Sequence, residues 1–317
     1  MPLTPAPSSA TRRAFLSLTA LAATRTTRGQ TPPPPPSPTL PHIGILLSTT
    51  YTTGTLEARL DEAKTHTLTC IQLSLSAAGL PEMPDAIPAP LPARIHSEAS
   101  SRGITLGSVQ GTFNMCHPDP EHRRAGLRRL RVLAQAFPRM PIHICTGTRN
   151  LESMWRRHPD NTTPEAWRDM AACVREAADI ARQSNSVLAF EPEVNNIVTS
   201  ARTARRLLDE IASPHLKVTL DPANLFPLGT LPRMQEILEE AFSLVGNDIV
   251  LAHAKDLDHD GDAGHKAAGE GLLDYDLYVR LLHAHRFTGP LLLHGLSRAQ
   301  VPACLAFLRA KLARLPA

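Results

Sequence analysis

The chain has no CxxC pair. Its five cysteines, Cys70, Cys116, Cys145, Cys173 and Cys304, are an odd number spread over predicted strands and helices. That pattern argues against a disulfide framework and for buried free thiols. A long basic tract is also missing: the net charge is +3, and the cluster from Arg123 to Arg131 falls on a predicted helix surface, where charge is usually solvated. No nucleic-acid partner is therefore expected. The apolar run near the N-terminus is too short to remain in a bilayer as a spanning helix, so no stable membrane span is expected. Beyond an alternation of strands and helices there is no internal repeat, and no domain boundary follows Pro41.

What is present begins with Thr11-Arg12-Arg13-Ala14-Phe15-Leu16, which leads into a short apolar stretch ending at Leu21-Ala22-Ala23. This resembles a twin-arginine export signal, with small residues where cleavage would occur. Residues 1–30 are read as that signal, and the twin-arginine export machinery, which carries folded proteins, is the expected partner. The mature protein is then expected in the periplasm or outside the cell. Residues 31–41, TPPPPPSPTLP, form an extended polyproline spacer. Residues 42–317 remain as one domain.

In that domain short apolar runs alternate with helical spacing. The runs are Ile43 to Leu47, Cys70 to Leu75, Ile104 to Val109, Ile142 to Cys145, Val187 to Phe190, Leu216 to Leu220, Ile249 to Ala252 and Leu291 to Leu293. Eight β–α units in about 275 residues match a single (β/α)8 TIM barrel in the α/β class. The unit from Ser186 to Asn224 organises the reading. Its two strands, joined by a right-handed crossover, place their C-termini on one face of the sheet, and each run stops on a carboxylate, Glu191 and Asp221. Two crowded carboxylates stay ionised only with a cation or basic group between them. Either acid alone could simply cap the helix that follows.

The pattern recurs at the next strand ends, with His253 closing IVLAH and His294 closing GPLLLH. Chemistry in such barrels collects at the C-terminal ends of strands. Glu191, Asp221, His253 and His294 are therefore the candidate ligands of one divalent metal. Mixed oxygen and nitrogen donors suit Mn, Zn or Co, with Mg also admissible, better than Ca. Lys255, two residues past His253 and on the same side of an extended strand, is placed to steady a developing oxyanion. Glu193 and Asn224 are candidates to orient ligands or bind hydroxyls, and His117 to contact substrate. His143 is read as barrel wall. Trp155 and Phe113 could offer a sugar an apolar face, or belong to the core.

Residues 42 to 313 resemble the xylose isomerase-like barrel proteins known as sugar phosphate isomerases/epimerases. The resemblance is carried by GTFNMCHPDPEHR (Gly111 to Arg123), FEPEVNN (Phe190 to Asn196), LDPAN (Leu220 to Asn224), HAKD (His253 to Asp256), Gly269-Glu270-Gly271 before Leu273-Asp274-Tyr275, and LLLHGLS (Leu291 to Ser297). It implies a divalent metal held by Glu, Asp, His and a second Glu. The two Glu residues would shuttle a proton at the carbon next to a carbonyl of a carbohydrate substrate. Glu191, Asp221 and His253 match the first three positions, and His294 stands where the second Glu is expected.

The expected function is thus a metal-dependent sugar or keto-sugar isomerase or epimerase, with Glu191, His294 and Lys255 as catalytic residues and an enediolate intermediate. Because one imidazole replaces a carboxylate, single-base isomerisation or a dehydratase or lyase reaction on a keto-sugar or keto-glycoside is the alternative. A barrel resembling abasic-site endonucleases is weighed on His265 to Gly271, which resembles that family's His-x-x-x-Gly-x-Gly segment. Against it, Asn224 occupies the place of one of that family's histidine ligands. A non-catalytic sugar-binding barrel is the remaining reading.

Overall fold

Eight parallel strands close into a ring in the computed structural model, which describes residues 41–316. Residues 1–30, read from the sequence as an export signal, and nearly all of the proline-rich tract lie outside the described residues. The strands are β1 (Ile43–Leu46), β2 (Cys70–Leu73), β3 (Thr105–Gln110), β4 (Pro141–Cys145), β5 (Val187–Glu191), β6 (Leu216–Leu220), β7 (Ile249–Asp256) and β8 (Leu291–Leu293). Each pairs with the next, and closure comes from β8, which lies in register with β7 (Ala252 opposite Leu291) and with β1 (Ile43 opposite Leu291). Strands covered on both faces can be apolar throughout, and β2 and β5 are buried along nearly their whole length. Because every barrel strand runs the same way, the ends of β5 to β8 meet on one rim.

The helices form where capping and spacing agree. The helix Pro164–Gln183 starts at Thr163, whose hydroxyl accepts from Ala166 N, with Pro at its first position. It buries Trp167, Met170, Val174, Ala177 and Ala181, one face of a 3.6-residue repeat. The helix Ala201–Ile211 opens on a reciprocal Ser200–Thr203 box and ends at Ala212 in the left-handed region, φ 50°. Among the described residues no helix is long and apolar enough to cross a membrane. All five cysteines are buried and free, as expected.

The expected eight units are present, with shifted edges. β1 ends early because residues Leu47–Thr50 turn into a short helix. β7 runs on through His253 to Asp256, because its final turn of chain pairs with an antiparallel bridge at Lys266–Ala267. Two tyrosines from the helix Tyr275–Ala284 hold that extension: Tyr278 Oη donates to His253 O (3.1 Å) and Tyr275 Oη to Lys255 O (3.0 Å). Asp256 accepts from the backbone N–H groups of Leu257, Leu273 and Gly269 at 2.9, 2.9 and 3.1 Å, fastening the long loop after β7.

Removing a buried acceptor leaves donors unsatisfied, at roughly 1–3 kcal/mol for such a group. Asp256→Ala is accordingly expected to lower the unfolding free energy by about that amount and to open residues 258–273 to protease. Unchanged denaturation and cleavage would show that the loop is held by something else.

Candidate active site

Glu191 is the last residue of β5, Asp221 follows β6, His253 lies within β7 and His294 follows β8. The four converge. His253 Nδ1 is 3.5 Å from Glu191 Oε1 and 3.5 Å from Asp221 Oδ2, and His294 Nδ1 is 3.5 Å from the same Asp221 oxygen. The imidazoles of His253 and His294 meet edge to face, 4.7 Å between centroids. Asp221, His253 and Glu191 are buried, whereas about a quarter of the His294 side chain is exposed.

Lys255 and His253 share one side of β7, as the strand period requires. The Lys255 ammonium lies 2.9 Å from Asp221 Oδ2. Lys255 therefore serves first as the buried counter-charge of Asp221. Asn224, on the turn Pro222–Asn224, donates through Nδ2 to Glu191 Oε1 at 2.7 Å and accepts from Gly264 N at 2.8 Å. One side chain thus aims Glu191 and ties down the loop after β7.

The electrostatics follow from crowding. Burial opposes the charge of Asp221, yet Lys255 and the imidazole of His253 outweigh it and hold its carboxyl well below the usual range. Glu191 is likewise depressed, burial being overcome by His253. His253 is pushed up to about 9, because its two carboxylates prevail over burial. His294 moves down through burial and the nearby Lys255, which leaves its ring neutral. Glu193, buried and facing the Glu191 charge, is pushed up to about 8.

Some expectations need correction. His143 is not simply wall. Its side chain points into the barrel, with Nε2 3.4 Å from Glu191 Oε2 and Nδ1 3.0 Å from Thr219 Oγ1. Burial lowers it to about 3, so it is a neutral hydrogen-bonding group beneath the rim. Phe113 packs in the core, against Gly126. Trp155 is 40% exposed and lines a cleft of about 570 Å3 with Arg157, Asn195, Asp260 and Asp262. His117 stacks on His122, at the start of the helix Pro120–Ala136, with 4.0 Å between ring centroids, and accepts from Asp119 N. Within the GTFN and NN segments, Asn114 and Asn196 act as loop staples: Asn114 bonds Thr148 N and O, and Asn196 Oδ1 accepts from Gly147 N. Gly147 sits at φ +74° against Asn114, where a Cβ would collide.

Buried polar atoms are almost always hydrogen-bonded. Here both nitrogens of His253 and Nδ1 of His294 are buried without a hydrogen-bond partner, and Asp221 Oδ2 has the Lys255 ion pair as its one close contact. Donor atoms of Asp221, His253 and His294 lie within 4.8 Å of one another. Two imidazoles and a carboxylate with open valences, and a second carboxylate beside them, are a donor set that fits a divalent transition ion. A second group, Asp258, His259 and His265, is exposed, and its members already bond one another and Lys266.

A family model described as xylose isomerase-like TIM barrel matches residues 60–310. No curated protein matches the chain. Among solved structures, D-psicose 3-epimerase with D-tagatose from Clostridium cellulolyticum H10 is similar at 16% identity and TM-score 0.62, over 86% of this chain and 99% of that one. The 3-keto-D-glucoside 4-epimerase from E. coli gives 16% and 0.62, over 85% and 99%. A xylose isomerase-like TIM barrel protein from Mycobacterium smegmatis in complex with magnesium gives 15% and 0.62, over 87% and 96%. At such identities the likeness is one of fold.

Proposed function

The chain belongs to the xylose isomerase-like TIM barrel family, and from that premise we propose that it is a divalent-metal-dependent sugar or keto-sugar isomerase or epimerase. The observation that carries the reading is the set of buried, unpartnered nitrogens on His253 and His294 beside Asp221 and Glu191. These four residues would hold the ion. When bound it would polarise a substrate carbonyl and its neighbouring hydroxyl, making the adjacent C–H more acidic.

The chain's own residues supply the rest. Glu191, held by Asn224 and flanked by His143, would accept and return the proton from the buried side, and His294, which opens toward the rim, would take it only with its ring free of the ion, since a neutral imidazole has a single basic nitrogen. Lys255 balances the Asp221 charge and keeps the cluster from being a bare excess of carboxylate. The donor set is asymmetric, with the His294 imidazole where the resemblance implies a second Glu. That favours, as a second reading, single-base isomerisation or dehydration of a keto-sugar or keto-glycoside.

Solvent-deuterium exchange tests the proposal. Protein loaded with Mn, Zn or Co should incorporate deuterium next to the carbonyl of a ketose or 3-keto-glycoside, and about one equivalent of metal should be retained. No exchange with any of these would sink it, and several equivalents of metal would turn attention to the nuclease-like reading. Asn224→Ala, which frees Glu191, is expected to weaken metal binding about 10–100-fold. Calorimetric titration with the same ion measures this, and an unchanged affinity would remove Asn224 from the account.

A further inference from the structure

We propose that the cavity between the first and last strands of the barrel is the subsite for the hydroxylated tail of a neutral, unphosphorylated sugar. The inference rests on the carbohydrate reading above and narrows it. The cavity holds about 530 Å3 and is lined by Thr49, Thr50 and Thr53 after β1 and by His294, Ser297 and Arg298 after β8. Both segments follow strand C-termini, so it opens on the rim that carries Asp221. His294 belongs to the cavity and to the donor cluster alike, so a chain of carbons that begins at the cluster continues past His294 into this space.

Hydroxyls dominate the lining: Thr49 Oγ1 donates to Leu46 O at 3.3 Å and Ser297 Oγ to Gln300 Oε1 at 2.8 Å, and each keeps lone pairs to accept another bond. Thr50 is 4% exposed and its Oγ1 is without a hydrogen-bond partner. A hydroxyl both donates and accepts, which matches the hydroxyls of a sugar. A phosphate ester instead needs uncommitted positive charge and convergent donors.

The rim offers little of either. Arg298 Nη1 lies 3.1 Å from Glu62 Oε1. In the cleft beside Trp155, Arg156 Nη1 lies 2.6 Å from Glu152 Oε2. Arg157 Nη2 donates to Val194 O and Gly261 O at 3.2 and 2.9 Å, with Asp260 and Asp262 alongside. Lys255 is held by Asp221. A dianion entering the threonine-lined cavity would have to displace Glu62 from Arg298 and then sit beside that carboxylate. A neutral polyol meets no such opposition.

The test is binding of D-sorbitol, a polyol without a carbonyl, and of D-sorbitol 6-phosphate to the full-length metal-loaded protein, followed by saturation-transfer NMR. Sorbitol should bind saturably, and its phosphate ester about tenfold more weakly or worse. Thr50→Val should raise the dissociation constant for sorbitol about fivefold, the loss of one hydrogen bond. Thr53→Val, at an exposed position that folding does not depend on, should raise it in the same direction. Glu62→Gln, which releases Arg298, should narrow the gap between sorbitol and its phosphate ester. The proposal is overturned if sorbitol shows no saturable binding, if the ester binds more tightly, or if Glu62→Gln leaves the gap unchanged. Sorbitol cannot undergo proton exchange at a carbonyl, so its binding stands apart from the proposed reaction. Binding of sorbitol without exchange on any keto-sugar would sink that reaction and leave this subsite intact.

Discussion

Asp221→Asn is expected to lower the unfolding free energy of the metal-free protein by about 3–5 kcal/mol, the usual cost of leaving a buried charge without its partner. The charge left behind is the ammonium of Lys255, which is 5% exposed and 2.9 Å from Asp221 Oδ2. An amide keeps the shape of the carboxylate but cannot answer that charge, nor replace an anionic donor in the cluster. Urea denaturation in the presence of chelator measures the loss, and metal retention after dialysis should fall from about one equivalent toward none. Replacing both partners, as Asp221→Asn with Lys255→Met, should recover part of the stability, since removing a buried pair outright is often close to neutral. If the single variant is as stable as the native chain, Lys255 and Asp221 are not each other's counter-charge.

His294→Ala is expected to separate chemistry from folding. Positioned proton transfer is worth about 10²–10⁴ in rate, so deuterium exchange into a ketose should drop by that factor. The denaturation midpoint should barely move, because the side chain sits at the rim and its Nδ1 has no hydrogen-bond partner to lose. Exchange that persists at the native rate would assign the proton transfer to Glu191 alone.

How much of this was legible in the sequence differs residue by residue. Glu191, Asp221 and His294 announce themselves because each interrupts an apolar run of strand length, and a parallel barrel brings all such interruptions to one rim. Lys255 could be placed on the correct face from the two-residue strand period, but its partner could not be read, since the pairing with Asp221 crosses from β7 to β6. His143 reads as wall and does lie buried inside β4, but only ring closure reveals that its Nε2 lies 3.4 Å from Glu191 Oε2.

The extension of β7 to Asp256 was missed because its last residues are polar, which ordinarily marks the end of a strand. Here they are polar because they serve the rim and the loop beyond it. Asn224 is legible only as a polar group beside the strand end, a candidate to orient a ligand or bind a hydroxyl; the structure adds its bond to Glu191 Oε1. His117 is legible only as a loop histidine within the Gly111 to Arg123 segment; the structure adds that its ring stacks on His122.

The central claim is that one divalent ion is held where the last four strands of the barrel end. Anomalous X-ray scattering from crystals of the Mn- or Zn-loaded protein tests it most directly. The account predicts a single strong peak among the side chains of Glu191, Asp221, His253 and His294. A peak only at the exposed Asp258, His259 and His265 group, or none at the rim of fully loaded protein, would contradict it.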